Sequence, residues 1–391
     1  MGGGTTRTCT SVGTNRITEQ PQKWIKPKFA WLDLQGTGLS ALERLCLEEA
    51  LLRHDPLKRN WAIMGTHDPV YNTRLKKIRN SNKNNNNTMY ENCVVVMGLG
   101  GKPHQLLNVD RIKQDGVLVL KRFSGGGTVV VDQSCLWTTF IGRPESMNHI
   151  VAPYPRDIMQ WSAKYIFESV FNSMNQTVQQ THETTDSHHR VFYPNTLCVQ
   201  KETPKTLILD TKSCGLAGGN TSTLGRVPSI PTSHVSLNSQ RAYDVTSEEV
   251  RHDSHYPTFA LRENDYVFGE RKMGGNAQSI SKDGWLHHTS FLWDFVDEHM
   301  EYLTLPSKRP EYRKDRKHTD FLIKLKDFYS HGLHEHRAKK RFFDQVKVSC
   351  AREYDLEHVL LKDVMDMLDS VLGGFQHWFE TKSRTSIVDI K

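Results

Sequence analysis

The chain has 391 residues, 37% of them hydrophobic and 9% aromatic, enough for the core of one large domain or two ordinary ones. Its 51 basic and 44 acidic residues leave a formal charge of +7, with many of the positive charges in the last third, which favours an acidic partner without demanding nucleic acid. The apolar runs are strand-sized, far short of the roughly 18 residues a membrane-spanning helix needs, and 7 scattered cysteines without a CxxC pair specify neither a disulfide framework nor a zinc site.

Residues 1–23 read as a disordered tail. They carry Arg7, Arg16 and several Ser and Thr, with no acid before Glu19, a composition also found in organelle transit segments. Gly2 followed by Thr6 fits the N-myristoylation pattern. Over residues 40–54, Leu42, Leu45, Leu51 and Leu52 recur at helical spacing among Glu43, Arg44, Glu48 and Glu49, which predicts an amphipathic helix. Ser40 is its N-cap and Glu43 completes a capping box. Residues 73–90 form an Asn- and Lys-rich loop insertion, and Cys93 to Met97 a buried strand ending at Gly98.

Residues 117–120 and 128–131 are β-branched runs bracketing a glycine turn at Ser124, Gly125, Gly126 and Gly127, with a further short strand at 136–141. Ile158, Trp161, Ile166, Phe167, Val170 and Phe171 predict a long helix over 156–174. The composition then turns to Thr, Ser, His, Asn and Gly, so residues 175–257 read mostly as a mobile insertion, strand-like only at 191–199 and 206–209. Short strands resume at 266–268, 277–280 and 285–293. A basic linker at 307–318 precedes helical patterns at 321–329 and 356–379. The expected organisation is one domain over 24–305, interrupted at 73–90 and 175–257, and a linker with a helical extension over 306–391.

Two segments carry chemistry. Consecutive glycines between strands cost backbone entropy and pack nothing, so they suit a backbone that approaches a ligand closely and offers it N–H groups. Beside them Arg122 supplies a fork for phosphate or carboxylate. An ordinary glycine-rich hairpin is the plainer alternative. In the second segment Lys272 precedes Gly274, Gly275, Asn276 and Ala277, with Asn264 and Asp265 before it and His287 and His288 after it. A lysine beside glycine is usually a solvated turn, but together the segments offer two cations and two glycine stretches to one polyanionic ligand.

Arg122, Ser124, Gly125, Gly126, Gly127, Thr128, Val129 and Asp132 resemble the RRxSGGGxVxxD signature of lipoate-protein ligases, and residues 271–277 resemble the RKxxGxA motif of that family. Asn108 and Arg111 fall at matching offsets, as do Asn264 with Asp265 and the histidine pair. The resemblance covers roughly residues 34–142 and 259–299 and looks closest to a eukaryotic branch of the biotin/lipoate ligase superfamily. It implies an α/β (α+β) fold: a mixed, largely antiparallel sheet flanked by helices.

It also implies activation of lipoate or octanoate by ATP with Mg2+ to an acyl-adenylate, followed by transfer to a lysine. Lys272 would be the catalytic cation, bonding the acyl carbonyl and α-phosphate. Arg122, Ser124, Gly125, Gly126, Gly127, Thr128, Asn264, Asp265, Gly275, Asn276, Ala277 and His288 would bind acyl group and ATP, and Asp265 the metal. The implied acceptors are lipoyl domains of 2-oxoacid dehydrogenases and the glycine-cleavage H-type carrier; the chain is expected to be a monomer, in the mitochondrion or alternatively the cytoplasm.

The sequence departs from the pattern at Lys121, Leu99 and Val131, which replace two arginines and a histidine. Rival readings are therefore an octanoyl transferase acting through a cysteine such as Cys214, a biotin-protein ligase, and a non-catalytic acyl- or nucleotide-binding module.

Overall fold

β-Branched and aromatic runs build two sheets. The computed structural model describes residues 1–2, 26–66, 93–186, 257–307, 309–330 and 333–390. In chain order come β1 (Lys28–Asp33), α1 (Ala41–His54), β2 (Asn60–Thr66), β3 (Cys93–Met97), α2 (Val109–Asp115) and β4 (Leu118–Lys121). They are followed by β5 (Gly125–Gly126), β6 (Val129–Asp132) and β7 (Cys135–Gly142). Next, α3 (Pro155–Ser162) passes through a π-helical stretch, Ala163–Phe167, into α4 (Glu168–Asp186). The rest comprises β8 (Phe259–Arg262), β9 (Asp265–Phe268), β10 (Arg271–Ser281), β11 (Gly284–Leu292), α5 (Glu335–Glu353), β12 (Asp355–Val359), α6 (Leu361–Leu372), α7 (Phe375–Thr381) and β13 (Ser386–Ile387).

The large sheet runs β12-β1-β2-β7-β11-β10-β9-β8, with β5 added on β10, and the small one runs β13-β4-β3-β6. β12, β1 and β2 are parallel, and every other pairing in the large sheet is antiparallel. Side chains alternate across a strand, so β1 sends Ala30 and Leu32 to one core and Phe29 and Trp31 to another. The first core joins α1, the small sheet, α6 and α7; the second is aromatic and joins α3, α4 and α5. The expected mixed sheet flanked by helices is the architecture found.

Several local expectations change. The helix predicted to stop at 174 continues to Asp186. Residues 321–329 form only single turns, His318–Phe321 and Lys326–Tyr329, and the 356–379 pattern divides into β12, α6 and α7. α5 was not anticipated. The segment beyond 305 is more than a helical extension, because β12 joins β1 and β13 joins β4. β4 and β6 do not pair with each other but flank β3. α1 has its capping box, yet Arg44, Glu48 and Glu49, expected on a polar face, are all buried. The tail from residue 3, the 73–90 insertion and the strand-like runs at 191–199 and 206–209 lie outside the described residues.

Candidate active site

The glycine stretch leaves the small sheet and becomes β5 on the large one. Gly126 sits opposite Ala277 and Gly125 opposite Gln278, so the two motif segments are hydrogen-bonded neighbours. Gly126 has φ +115°, which disfavours any side chain. A Cβ on Gly98 would stand 2.2 Å from the Gly126 carbonyl oxygen, so both positions need glycine for β3 and β5 to approach.

Arg122 is 3% exposed and turned into this loop. Its Nη1 donates to the Val96 carbonyl at 3.2 Å, and Nη2 donates to those of Gly125 at 3.2 Å and Gly127 at 2.7 Å. Nε has no partner. Burial lowers the guanidinium to about 10. The arginine expected as an anion fork therefore works first as a staple that fixes the glycine carbonyls, although it also lines the cavity described below.

Ser124 is fully buried, and its hydroxyl lies 2.9 Å from His288 Nε2. His288 Nδ1 is 3.0 Å from Glu48 Oε2, while Glu48 Oε1 accepts from Arg44 Nε and Thr139 Oγ1. Burial presses Glu48 upward, but hydrogen bonding to His288 and the charge of Arg44 outweigh it and hold the carboxyl below its usual range. Burial lowers His288, and the charges of Arg122 and Arg44 add to that against the opposing pull of Glu48. A neutral His288 then donates Nδ1–H to Glu48, leaving Nε2 to accept the Ser124 hydroxyl proton. His287, on the other face of β11, is pushed down to about 3 by burial and contacts Ser162, Tyr266 and Gln278. It belongs to the core.

A register shift in β10 between Lys272 and Gly274 re-aims the strand, as bulges do. Lys272 Nζ lies 2.7 Å from Asp265 Oδ1, over Gly275, whose added Cβ would come within 3.2 Å of Nζ. Asp265 Oδ2 accepts from the Tyr312 hydroxyl at 2.9 Å. Asn276 Nδ2 donates to the carbonyl of exposed Asn264, and Asn276 Oδ1 accepts from Thr289. The Thr128 hydroxyl is buried without a partner among the described residues.

Sequence reasoning missed the segment over 310–323. Ile323 N donates to the Lys272 carbonyl at 3.0 Å, which fastens this arm beside the lysine. Arg313 is 5% exposed, and its Nη2 has no partner among the described residues. His318 is lowered to about 4 by burial and by the charges of Arg313 and Lys272. Nothing in the family motifs pointed to these residues; the only signal was the basic run itself.

A cavity of about 790 Å3 brings these parts together. Arg122, Gly125 to Thr128, Asn264, Asp265, Lys272, Gly275 to Ala277, His288, Arg313 and His318 all line it, beside apolar walls that include Val96, Trp137, Met159 and Leu292. Ser124 is the expected site residue that stands behind the wall. No group of three or more His, Cys, Asp or Glu suited to a metal occurs among the described residues. Each Asp265 oxygen meets one donor, Lys272 on Oδ1 and Tyr312 on Oδ2, and each keeps a second lone pair with which it would hold the expected magnesium. Asn108 caps α2 and Arg111 pairs with Asp115 and Glu301, away from the cavity lining. No cysteine among the described residues lines the cavity; burial pushes Cys46 and Cys93 up to about 12, and Cys214 lies outside the described residues.

The family model for the lipoyl protein ligase A/B catalytic domain matches residues 41–181 and 236–347. The chain belongs to that family. A curated relative in the family's subject area, the "inactive lipoate--protein ligase 2" of Plasmodium falciparum, is 25% identical over 302 residues, 73% of this chain. The chain spans 60% of that relative's length. A crystal structure of lipoate-protein ligase A bound with ATP is 14% identical, with 92% of this chain and 96% of the other covered and a TM-score of 0.44. A Thermoplasma acidophilum structure of a bi-partite lipoate protein ligase and its lipoyl domain is 12% identical, with coverage of 92% and 94% and a TM-score of 0.47. At such values the family model carries the assignment. No helix among the described residues is long and apolar enough to cross a membrane.

Proposed function

We propose that this family member binds lipoate or octanoate together with ATP, forms the acyl-adenylate with loss of pyrophosphate, and transfers the acyl group to a lysine of an acceptor protein. The observation that carries the reading is the direct pairing of β5 with β10, which sets the glycine stretch and Lys272 on one cavity with apolar walls. The apolar walls suit a medium-length acyl chain, and the cations suit the charge that activation develops.

Lys272 is an electrostatic clamp in this reading. Asp265 takes one of its N–H groups, which leaves others for the acyl carbonyl and α-phosphate oxygens. Arg313, which lines the cavity and whose Nη2 has no partner among the described residues, is suited to a phosphate oxygen. The acceptor amine then attacks the carbonyl carbon, the bond to AMP breaks, and the amine loses its proton. Acidic lipoyl domains and the glycine-cleavage carrier are the proposed acceptors, and the mitochondrion, with the cytoplasm as the alternative, the proposed compartment.

A second reading, an acyl- and nucleotide-binding module without activation, is favoured by Leu99, 46% exposed where the family often has arginine. One assay separates the two. The full chain is mixed with lipoate, ATP, magnesium and a lipoyl domain, and pyrophosphate and acceptor mass are followed. Modified acceptor is expected, with Lys272→Ala slower by about 100-fold or more. Lipoate binding by calorimetry with no pyrophosphate released would leave the binding module; full transfer by the mutant would remove Lys272 from the chemistry.

A further inference from the structure

Consecutive residues on a helix point about 100° apart, so two adjacent glutamates reach different neighbours. Glu48 and Glu49 on α1 are 1% and 0% exposed, and a carboxylate so buried persists only if its oxygens are satisfied. Glu48 is satisfied by Arg44, Thr139 and His288, and His288 holds the Ser124 hydroxyl. Glu49 accepts from Arg53, from the backbone N–H groups of Arg384 and Thr385, and from the hydroxyls of Ser383 and Thr385. Thr385 Oγ1 in turn accepts the Phe123 N–H at 3.3 Å.

We propose that Glu48 and Glu49 are positioning residues for the ligand site, bracing Ser124 through His288 and Phe123 through Thr385 at the root of the glycine stretch. Segment 383–388 is then a working part of the site. It is zipped along β4, with Ser386 opposite Lys121, Ile387 opposite Leu120 and Val388 N donating to the Val119 carbonyl. β4 is the strand that delivers Arg122, Phe123 and Ser124, so slack in either brace reaches the cavity wall. The glycines cannot resist it themselves, because they have no side chains to pack.

The inference uses the proposed reading only in naming lipoate as the ligand. Its test follows hydrogen exchange of the full, ligand-free chain and lipoate affinity by calorimetry. The reporting amide is Leu99, whose N–H donates to the Ser124 carbonyl at 3.0 Å and touches neither brace. Thr385→Val should speed Leu99 exchange about tenfold and weaken lipoate about tenfold, with β7 unchanged. Thr385→Ser, which keeps the hydroxyl, should restore both. Glu48→Gln, which removes the charge shared by Arg44 and His288, should give the same selective pattern through Ser124, read against β1 because Thr139 of β7 itself bonds Glu48. Unchanged Leu99 exchange in the valine variant, or a rise matched in β7, overturns the proposal. Selective exchange in a chain that binds no lipoate in any form supports the bracing and counts only against the functional reading.

Discussion

Asp132 shows how one buried carboxylate writes itself into stability. It is 8% exposed, with the Ser134 N–H donating to Oδ1 at 2.8 Å, and burial pushes it up to about 6. The native state therefore binds its proton more tightly than the unfolded chain does. The contribution is fully present below the ordinary 3.8 and is lost as pH rises through 6. Burial also works against Glu48, Asp55 and Asp294, but their donor contacts outweigh it and hold all three below the usual range. Those residues give pH dependence of the opposite sign, so the effect must be read as a difference between proteins. Denaturant unfolding of wild type and Asp132→Asn from pH 4 to 7 should show the wild type losing up to about 3 kcal/mol relative to the variant. A constant difference across that range would mean the carboxyl titrates normally.

Elements were legible where a local pattern determined them. The Ser40 and Glu43 capping box and the β-branched runs of β3, β4 and β6 follow from spacing alone. α5 did not, because its apolar residues Ala338, Phe342, Phe343, Val346 and Cys350 are thinly spread among lysines and arginines, so no helical pattern stands out at that place in the extension. The site divides in the same way. The glycine stretch and Lys272 were visible as motifs, whereas the Tyr312 contact to Asp265, 47 residues away in sequence, depends on how the arm folds back. Glu48 and Glu49 looked like a solvated face because their partners lie on β7, β11 and segment 383–388. α5 also supplies an element-level test. Phe342 is fully buried, with ring centroids 5.2 Å from Phe291 on β11 and 5.9 Å from Phe171 on α4. Phe342→Ala should cost about 3–5 kcal/mol in denaturant unfolding, the range for a large aromatic lost from a core. A cost under about 1 kcal/mol would make α5 an appendage.

At the scale of the molecule, residues 306–391 are woven into what precedes them. The arm over 310–323 covers Lys272, α5 closes the aromatic core, β12 occupies the edge beside β1, and β13 lies along β4. A linker with a separable extension would leave the sheets and cores of 24–305 complete; here both include residues beyond 305. Truncation after residue 305 strips one face of the second core and bares the parallel edge of β1, a surface inclined to pair with other chains. Chain 24–305 should therefore fail to show a cooperative thermal transition by circular dichroism and should aggregate, while 24–391 melts as one unit. Soluble 24–305 with a single sharp transition near that of the longer chain would show that the interlocked strands add little and that the boundary at 305 is real.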